Sequence, residues 1–422
     1  MKRVAGMVCI LFLVLCCTWV GAADATVTGM KDDIGSAGDA SAFSRGPYLT
    51  GTTVNETVVN WMGTIPVVGT VAYASDASYQ ETGGYEQQFR DDAEVALHHV
   101  SITGLQPDTC YHYAVTVGGE TSGDHTFRTF PESGPFTFIV YGDTQEQLPY
   151  FTQTERHALV AERIATEEPD ALFVLHVGDT VCEVEDVEEW DRFFAAGSAL
   201  FANTTIVAVL GNHENNATVW YEAFGMPEWY SFDCGDAHFV VLDSNDWAAP
   251  HLDEETAWLR ADLEESPAGR TFVAFHHPPY SSGTRHPGGW SDLRELWGPV
   301  LEEYGVDMVF TGHVHSYQRY AVNGIHYVIA ATGGGMMYNL TEDKAEGYAA
   351  SADHQLGYVR VTVDDDRVTS VFVPVAVVSA DNRAVTEVFP VGTEYDPVVV
   401  GGCDDGIVGV FEEIFGRLAP LF

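Results

Sequence analysis

The chain has 422 residues, 46% of them hydrophobic and 12% aromatic, which is typical of a packed globular protein and excludes a disordered one. It carries 62 acidic and 19 basic residues, for a formal net charge of −43. Since contacts with nucleic-acid phosphates need clusters of Lys and Arg, no nucleic-acid partner is expected. The acidic surface has two interpretations, ordinary solvation or adaptation to high salt, in which a dense carboxylate shell stays hydrated.

The N-terminus is typical of an export signal. Lys2 and Arg3 precede an apolar run from residue 8 to residue 20, and small residues follow it, so residues 1–23 are predicted to be a cleaved signal peptide. The run is too short for a membrane span. We therefore expect a secreted or cell-surface protein, without an integral membrane span after cleavage, that begins with a flexible leader rich in small residues at 24–45.

Residues 46–131 are predicted to form a small all-β sandwich. Short strand-like stretches such as Val58–Trp61 and Thr70–Tyr73 are separated by turn residues, without helical periodicity. The stretch Leu105-x-Pro107-x-Thr109-x-Tyr111-x-Tyr113 resembles the end of a fibronectin type III domain. In such domains, a tyrosine near the start of this strand packs at a corner of the sandwich.

Residues 135–375 change to an alternation of strands and helices. Apolar runs predict strands at 136–141, 171–177, 205–210, 271–275 and 307–310, and helical periodicity predicts helices at 152–167, 187–201, 254–265 and 293–304. This alternation predicts an α/β domain whose strands are buried on both faces. Residues 357–373 are predicted to form a hairpin around Asp364–Asp366.

Residues 376–422 are predicted to be a C-terminal tail that contains an amphipathic helix. Apolar residues between 407 and 418 fall on one helical face. We expect this helix to dock on its own domain, since helices that lie on membrane surfaces tend to be basic and this one is not.

Five of the predicted strands end in residue types that bind metal ions. The motifs are Gly142-Asp143-Thr144-Gln145, Gly178-Asp179, Gly211-Asn212-His213-Glu214, His276-His277 and Gly312-His313-Val314-His315. Because strand ends meet at one edge of an α/β sheet, these side chains are expected to lie together. Their carboxylates, amide oxygen and imidazoles suit Fe, Zn or Mn. The pattern predicts a two-metal site in which Asp179 bridges the ions and His213 is free to meet a substrate.

The order of these motifs, together with Tyr317-Gln318-Arg319 and Gly333-Gly334-Gly335, resembles the calcineurin-like metallophosphoesterases and most of all the purple acid phosphatases. The resemblance covers roughly residues 46–375. It implies an α/β fold, a four-layer αββα metallophosphoesterase sandwich preceded by the small fibronectin type III-like sandwich. It also implies an acid phosphatase-like enzyme that hydrolyses small phosphate monoesters by attack of a hydroxide bridging two metal ions. The alternatives are a phosphodiesterase or nucleotidase with the same site, or a cell-surface binding protein with a vestigial metal site.

The resemblance implies six metal ligands and two catalytic histidines. The ligands are Asp143 and His315 for the first ion, Asn212, His276 and His313 for the second, and Asp179 for both. His213 would contact the phosphate or protonate the leaving group, and His286, ten residues after His276, would be a second histidine that faces the substrate.

Two positions depart from the family. Cys182 stands where the family has a tyrosine that binds ferric iron, and Gln145 stands where it has glycine. Without the phenolate, a purple Fe(III) centre is not expected. Gln145 could supply an amide oxygen to a metal ion, whereas Cys182 could be a thiolate ligand, a disulfide partner of Cys234 or a packed side chain. His277, which precedes Pro278, is interpreted as a residue that shapes the turn.

Overall fold

The computed structural model describes residues 41–364 and 366–401. The predicted signal peptide, most of the predicted leader and the amphipathic helix predicted within 407–418 lie outside this range. Within the described residues, no helix combines the length and the apolar character needed to cross a membrane.

The first part of the described chain is dominated by strands. Its elements are β1 (Phe43–Thr50), β2 (Glu56–Ser75), α1 (Asp76–Thr82), β3 (Gln87–Thr103), β4 (Cys110–Val117), β5 (Glu120–Thr121) and β6 (His125–Arg128). The two short strands predicted at 58–61 and 70–73 are one long strand, β2. Its first half pairs with β1 and β3 and its second half with β3 and β4, with register irregularities between Met62 and Gly69.

These strands enclose a core of their own, as the predicted sandwich requires. Trp61 and Tyr113 are fully buried in it beside Val71 and Val100. The Tyr111 hydroxyl accepts the backbone N–H of Gln106 at 2.9 Å, which is the tyrosine corner expected from the fibronectin-like motif.

The second part alternates strands and helices, as predicted. Its elements are β7 (Phe136–Tyr141), α2 (Gln153–Glu167), β8 (Phe173–His176), α3 (Val187–Ala196), α4 (Ser198–Phe201), β9 (Thr205–Ala208), α5 (Thr218–Phe224), β10 (Tyr230–Cys234), β11 (Ala237–Val241), α6 (Leu252–Glu265), β12 (Arg270–Ala274), α7 (Ser291–Glu303), β13 (Met308–Thr311), β14 (Tyr317–Val322), β15 (Ile325–Ala330), β16 (Tyr348–Ala352), β17 (Gln355–Val363), β18 (Arg367–Val378), β19 (Val385–Val388) and β20 (Tyr395–Gly401). Short 3₁₀ helices span Asn212–Glu214 and Asp246–His251. The helix predicted at 187–201 is divided at Gly197.

Two sheets pack face to face between helices, which confirms the four-layer αββα arrangement. The larger sheet has the order β19-β18-β17-β7-β8-β9-β1-β2-β4-β5, and the smaller has the order β10-β11-β12-β13-β15-β14-β16. Alternation along β7 turns Phe138 toward the other sheet and Ile139 toward α2 and α3. On the outer side of the smaller sheet, α6 and α7 bury Leu259 and Trp297.

The sandwich and the α/β region share one continuous sheet. Thr50 of β1 pairs in parallel with Ile206 of β9, and the hydroxyls of Thr52 and Thr205 are hydrogen-bonded beside this junction. The Tyr113 hydroxyl donates to the carbonyl oxygen of Ala202 at 2.7 Å. The strand that makes this junction begins at Phe43, within the segment predicted to be a flexible leader.

The segment 376–401 was predicted to belong to a tail, but it extends the larger sheet. The predicted hairpin is formed by β17 and β18, and β18 continues to Val378 and pairs with both β19 and β20. The Arg319 guanidinium of β14 donates to both carboxylate oxygens of Asp396, each at 2.7 Å. This ion pair joins β20 to the smaller sheet. Because its two residues are far apart in the sequence, no local pattern predicts it.

His238 of β11 links the hairpin β10–β11 to α6. Its Nδ1 lies 2.7 Å from Asp233 Oδ1 and its Nε2 lies 2.8 Å from Asp262 Oδ2. Because both ring nitrogens meet carboxylates, both carry protons and the ring is an imidazolium. Burial lowers the pKa of His238, but its bonds to Asp262 and Asp233 outweigh burial, so the net pKa is raised.

His238→Asn is expected to lower the free energy of unfolding by about 1.5–3 kcal/mol at pH 6 and by less at pH 9. Since folding raises the pKa of His238, its contribution is complete below the unfolded value of about 6.5 and is lost as the pH rises through the folded pKa. Urea denaturation of both proteins at the two pH values measures this, with His251→Asn on the surface as the control. A loss that is the same at both pH values would contradict a charged His238.

Candidate metal centre

The predicted ligands follow strands of both sheets. Asp143, Asp179 and Asn212 come after the parallel strands β7, β8 and β9 of the larger sheet. His276 and His313 come after the parallel strands β12 and β13 of the smaller sheet. The motifs therefore meet where the ends of two facing sheets converge, and not along the edge of one sheet.

Asp143, Asp179 and His315 form the first group of potential ligands. One ligand atom from each lies within 4.8 Å of those of the other two, and His315 Nε2 is 3.2 Å from Asp143 Oδ1. The amide of Gln145 lies beside this group, with its Nε2 at 3.3 Å from both Asp179 Oδ2 and His315 Nε2.

Asn212, His276 and His313 form a second group beside the first. His276 Nε2 is 3.2 Å from Asn212 Oδ1 and 3.1 Å from His313 Nδ1. The same nitrogen is 3.3 Å from Asp179 Oδ2, so Asp179 contacts both groups. The six residues predicted to bind metal thus lie together, with Asp179 between the two sets.

The backbone at the site adopts conformations that side chains usually avoid. Asp143, Asp179 and His313 have φ angles of 57°, 54° and 65°, in the left-handed region. Non-glycine residues persist in that region when the surrounding structure holds them there, which is common at functional sites. The glycines of the motifs make room, since a Cβ on Gly211 would lie 2.2 Å from the Asp179 nitrogen.

Gly211→Ala is therefore expected to displace Asp179, to destabilise the protein by about 1–3 kcal/mol through overpacking and to abolish tight metal binding. Metal analysis after gel filtration, together with thermal unfolding, measures both effects. Gly298→Ala in α7 is the matched control, because nothing lies within 4 Å of its added Cβ and alanine favours helix. Full metal content in Gly211→Ala would show that the close approach of Gly211 to Asp179 is not needed for metal binding.

Hydrogen bonds behind the ligands orient them. His276 Nδ1 donates to the carbonyl oxygen of Val177 at 2.8 Å, and His315 Nδ1 donates to that of Met336 at 2.7 Å. These bonds leave both Nε2 lone pairs directed into the site. The buried carboxylate of Glu214 accepts three backbone N–H groups, those of Gly211, Asp179 and Thr180.

The electrostatics of the site suit cations. Burial raises the pKa of Asp143. Burial also opposes ionisation of Asp179, but His276, His213 and His313 together hold the pKa of Asp179 well below its usual range. Among the described residues, Asp143 Oδ2 and Gln145 Oε1 are buried without a hydrogen-bond partner. A set of buried oxygen and imidazole acceptors that the protein leaves partly unsatisfied fits metal ions.

The two predicted catalytic histidines flank the ligands. The half-buried His213 ring donates from Nδ1 to the carbonyl oxygen of Cys182 at 2.8 Å, and its Nε2 is 4.0 Å from Asp179 Oδ2. Burial lowers the pKa of His213, but the contacts with Cys182 and the charge of Asp179 raise it to about 10. His286 stacks on Trp290 at 4.7 Å and lies 4.7 Å from the His313 ring, beside an open cavity of about 300 Å³.

Within the described chain, Cys182 is neither a member of a ligand group nor bonded to Cys234, which leaves a packed side chain of the three predicted alternatives. Its thiol belongs to neither of the two ligand groups found among the described residues. Its N–H donates to the Glu189 carboxylate, and its carbonyl oxygen accepts from His213. Cys182 and Cys234 are not bonded to each other, and Cys234 is buried at the end of β10.

Three residues near the site were not predicted to act there. The Tyr338 ring stacks on His315 at 4.4 Å, Glu214 holds the backbone of two motifs, and the His277 ring lies 4.5 Å from His313. Glu214 and His277 adjoin predicted site residues in sequence, and that adjacency was the available signal. Tyr338 reaches the site only through tertiary structure.

Comparisons with known proteins agree with this architecture. The calcineurin-like phosphoesterase family matches residues 136–317, and the purple acid phosphatase N-terminal domain matches residues 46–129. Purple acid phosphatase 21 of Arabidopsis thaliana is 29% identical over 245 residues, which are 53% of each chain. An uncharacterised protein of Mycobacterium tuberculosis is 26% identical over 297 residues, 60% of this chain and 54% of its own. The chain thus spans about half the length of the curated relatives it matches.

Among solved structures, a purple acid phosphatase from yellow lupin seeds is similar in fold. The match has a TM-score of 0.65 at 18% identity and covers 84% of this chain and 74% of the lupin chain. This likeness extends over both the β sandwich and the α/β region, so it supports the fold of the whole described chain.

Proposed function

Because the chain is homologous to purple acid phosphatases, we propose that it is a secreted, metal-dependent phosphoesterase that hydrolyses small phosphate monoesters. One observation carries the proposal: Asp179 contacts both groups of ligands, 3.3 Å from His276 and within 4.8 Å of the ligand atoms of Asp143 and His315. Two adjacent sites that share a carboxylate are the arrangement that two-metal hydrolysis needs.

In this proposal each ligand has an assigned ion. Asp143 and His315 would hold the first ion, Asn212, His276 and His313 would hold the second, and Asp179 would contact both. When bound, such a pair lowers the pKa of a water molecule and neutralises phosphate oxygens. The protein's part is to fix the ligands, which it does through the carbonyl partners of His276 and His315 and through Glu214.

His213 is proposed to bind the phosphoryl group and to protonate the leaving oxygen. The Nδ1 bond of His213 to the Cys182 carbonyl directs Nε2 toward Asp179, beside both groups of ligands. A protonated His213 also offsets the repulsion between an anionic substrate and a chain of net charge −43. His286, at the mouth beside Trp290, is proposed as the second histidine that faces the substrate.

The proposed metals are Fe, Zn or Mn. Because Cys182 replaces the tyrosine, the purple colour of a ferric-phenolate centre is not expected. Gln145 lies against the first ligand group, and its Oε1 has no protein partner within the described chain. Turning this amide oxygen toward the first ion would supply the ligand that the missing tyrosine would otherwise provide. Oxygen and imidazole donors together favour these borderline ions.

Metal content and turnover together test the proposal. The purified protein should contain near two ions per chain and should hydrolyse an aryl phosphate until a chelator removes them. Cleavage of 4-nitrophenyl phosphate should exceed that of bis(4-nitrophenyl) phosphate, and the reverse order would favour the phosphodiesterase alternative. A protein that takes up no metal and cleaves neither compound would favour the binding protein with a vestigial site.

A further inference from the structure

His277 is a buried histidine that the proposed mechanism leaves unused. It follows His276 directly, and only 7% of its surface is exposed. Its ring lies 4.5 Å from the His313 ring and 4.8 Å from that of Trp290. One of its ring nitrogens lies within 4.8 Å of ligand atoms of His276 and His313. His277 therefore lies close enough to the proposed ligands to act at the site, in addition to shaping the turn before Pro278.

Ser244 determines which nitrogen of His277 carries the proton. Ser244 Oγ accepts the backbone N–H of His277 at 3.0 Å and also lies 3.0 Å from His277 Nδ1. Only 8% of Ser244 is exposed, and its hydroxyl has no other partner among the described residues. A buried hydroxyl proton needs an acceptor, so the O–H donates to Nδ1 and the proton of the neutral ring is on Nε2.

The segment that carries Ser244 is held in place on both sides. The N–H of Asp243 donates to Glu255 Oε1 at 2.7 Å. The Asn245 amide donates to Asp243 Oδ1 and to the carbonyl oxygen of Leu210, the residue before Gly211. The hydroxyl that orients His277 is therefore anchored to the same backbone that presents Asn212 and His213.

A protonated Nε2 has a specific chemical consequence. An N–H group has no lone pair for a metal ion, so His277 is not a third imidazole ligand beside His276 and His313. Within the described chain this nitrogen has no hydrogen-bond acceptor, and it is not among the unpartnered atoms sealed from solvent. A donor that is oriented, reachable and unpaired, on a ring 4.5 Å from the ring of His313, suits an anionic oxygen.

We propose that His277 is a further substrate-binding residue, which donates its Nε2–H to an oxygen of the phosphoryl group. This inference rests on the proposed function, because it assigns a second donor at the same site. His213 supplies a donor after β9, and His277 supplies one after β12, so the phosphoryl group is held from both sheets.

The test combines metal analysis with inhibition by inorganic phosphate. His277→Ala is expected to retain its metal ions and to raise both the inhibition constant for phosphate and the KM for an aryl phosphate by roughly 10- to 100-fold. His277→Gln, which returns an N–H donor near the position of Nε2, should recover much of the loss. Ser244→Ala should weaken phosphate binding by a smaller factor. Without the hydroxyl, the proton of His277 can occupy either ring nitrogen, but the ring itself is kept.

The other outcomes overturn the inference. Loss of metal from His277→Ala or His277→Gln would make the residue a ligand, and unchanged phosphate inhibition in both would make it a packing residue. His125→Gln in β6 is the control for a histidine substitution away from the site. If the wild-type protein cleaves no phosphate ester, the proposed function fails by itself. In that case, calorimetric titration with phosphate compares the affinity of the metal-loaded wild type with that of the metal-loaded His277 variants. If the wild type does not bind phosphate, the inference about His277 is overturned.

Discussion

Asp179→Asn is expected to lose metal from both positions and to lower turnover of an aryl phosphate by at least roughly 10²–10³-fold. The carboxylate contacts both ligand groups and is fully buried, with a pKa held low by His276, His213 and His313. An amide of the same shape carries no charge, so two cations in adjacent positions would face each other without the anion between them. Metal analysis of the variant next to wild type gives the result.

The fold of Asp179→Asn should survive, which makes the result interpretable. Asn Oδ1 can still accept the N–H of His213, which Asp179 Oδ1 accepts at 3.0 Å. Asp170→Asn, at an exposed position before β8, is the matched control and should keep metal content and turnover. A fully loaded Asp179→Asn protein would show that Asp179 does not bridge the ions.

His213→Ala is expected to keep both ions and to lose about 10²–10⁴-fold in turnover. None of the proposed ligands is removed, but the donor with the raised pKa beside Asp179 is lost. If His213 protonates the leaving oxygen, the loss should be larger for an alkyl phosphate, whose leaving group is a poor one, than for 4-nitrophenyl phosphate. Steady-state kinetics with both substrates separates this role from phosphate binding alone.

Two results would contradict the role of His213. Turnover that is unchanged in His213→Ala would remove it from the mechanism, and an equal loss with both substrates would reduce it to a binding residue. His251→Ala, at an exposed position at the end of the second 3₁₀ helix, is the control for loss of an imidazole. Metal content measured on the same samples shows whether a loss of turnover is caused by loss of the metal ions.

Local patterns predicted much of the fold because the elements that carry it are regular. The run 136–141 is β7 to the residue, and the helical stretch 152–167 is α2 with Thr152 as its N-cap. The strands β10, β11 and β14 to β16 were not predicted, nor were β19 and β20. Local signals for the hairpins β10–β11 and β14–β15 were present in their two-residue turns, Gly235-Asp236 and Asn323-Gly324, but were not used. The strands β16, β19 and β20 are placed by their pairing with β14 and β18.

For the candidate metal centre too, some features could be predicted from the sequence and others required the folded structure. The order of the motifs in the sequence, through its resemblance to the phosphatases, predicted the six proposed ligands, and four of them directly follow a glycine. Three other features could be seen only in the folded protein. Three strands of one sheet and two of the other supply the ligands, the Cys182 carbonyl oxygen accepts from His213, and Ser244 orients His277. Strand ends are encoded by neighbours in sequence, whereas hydrogen bonds between loops depend on how the two sheets pack.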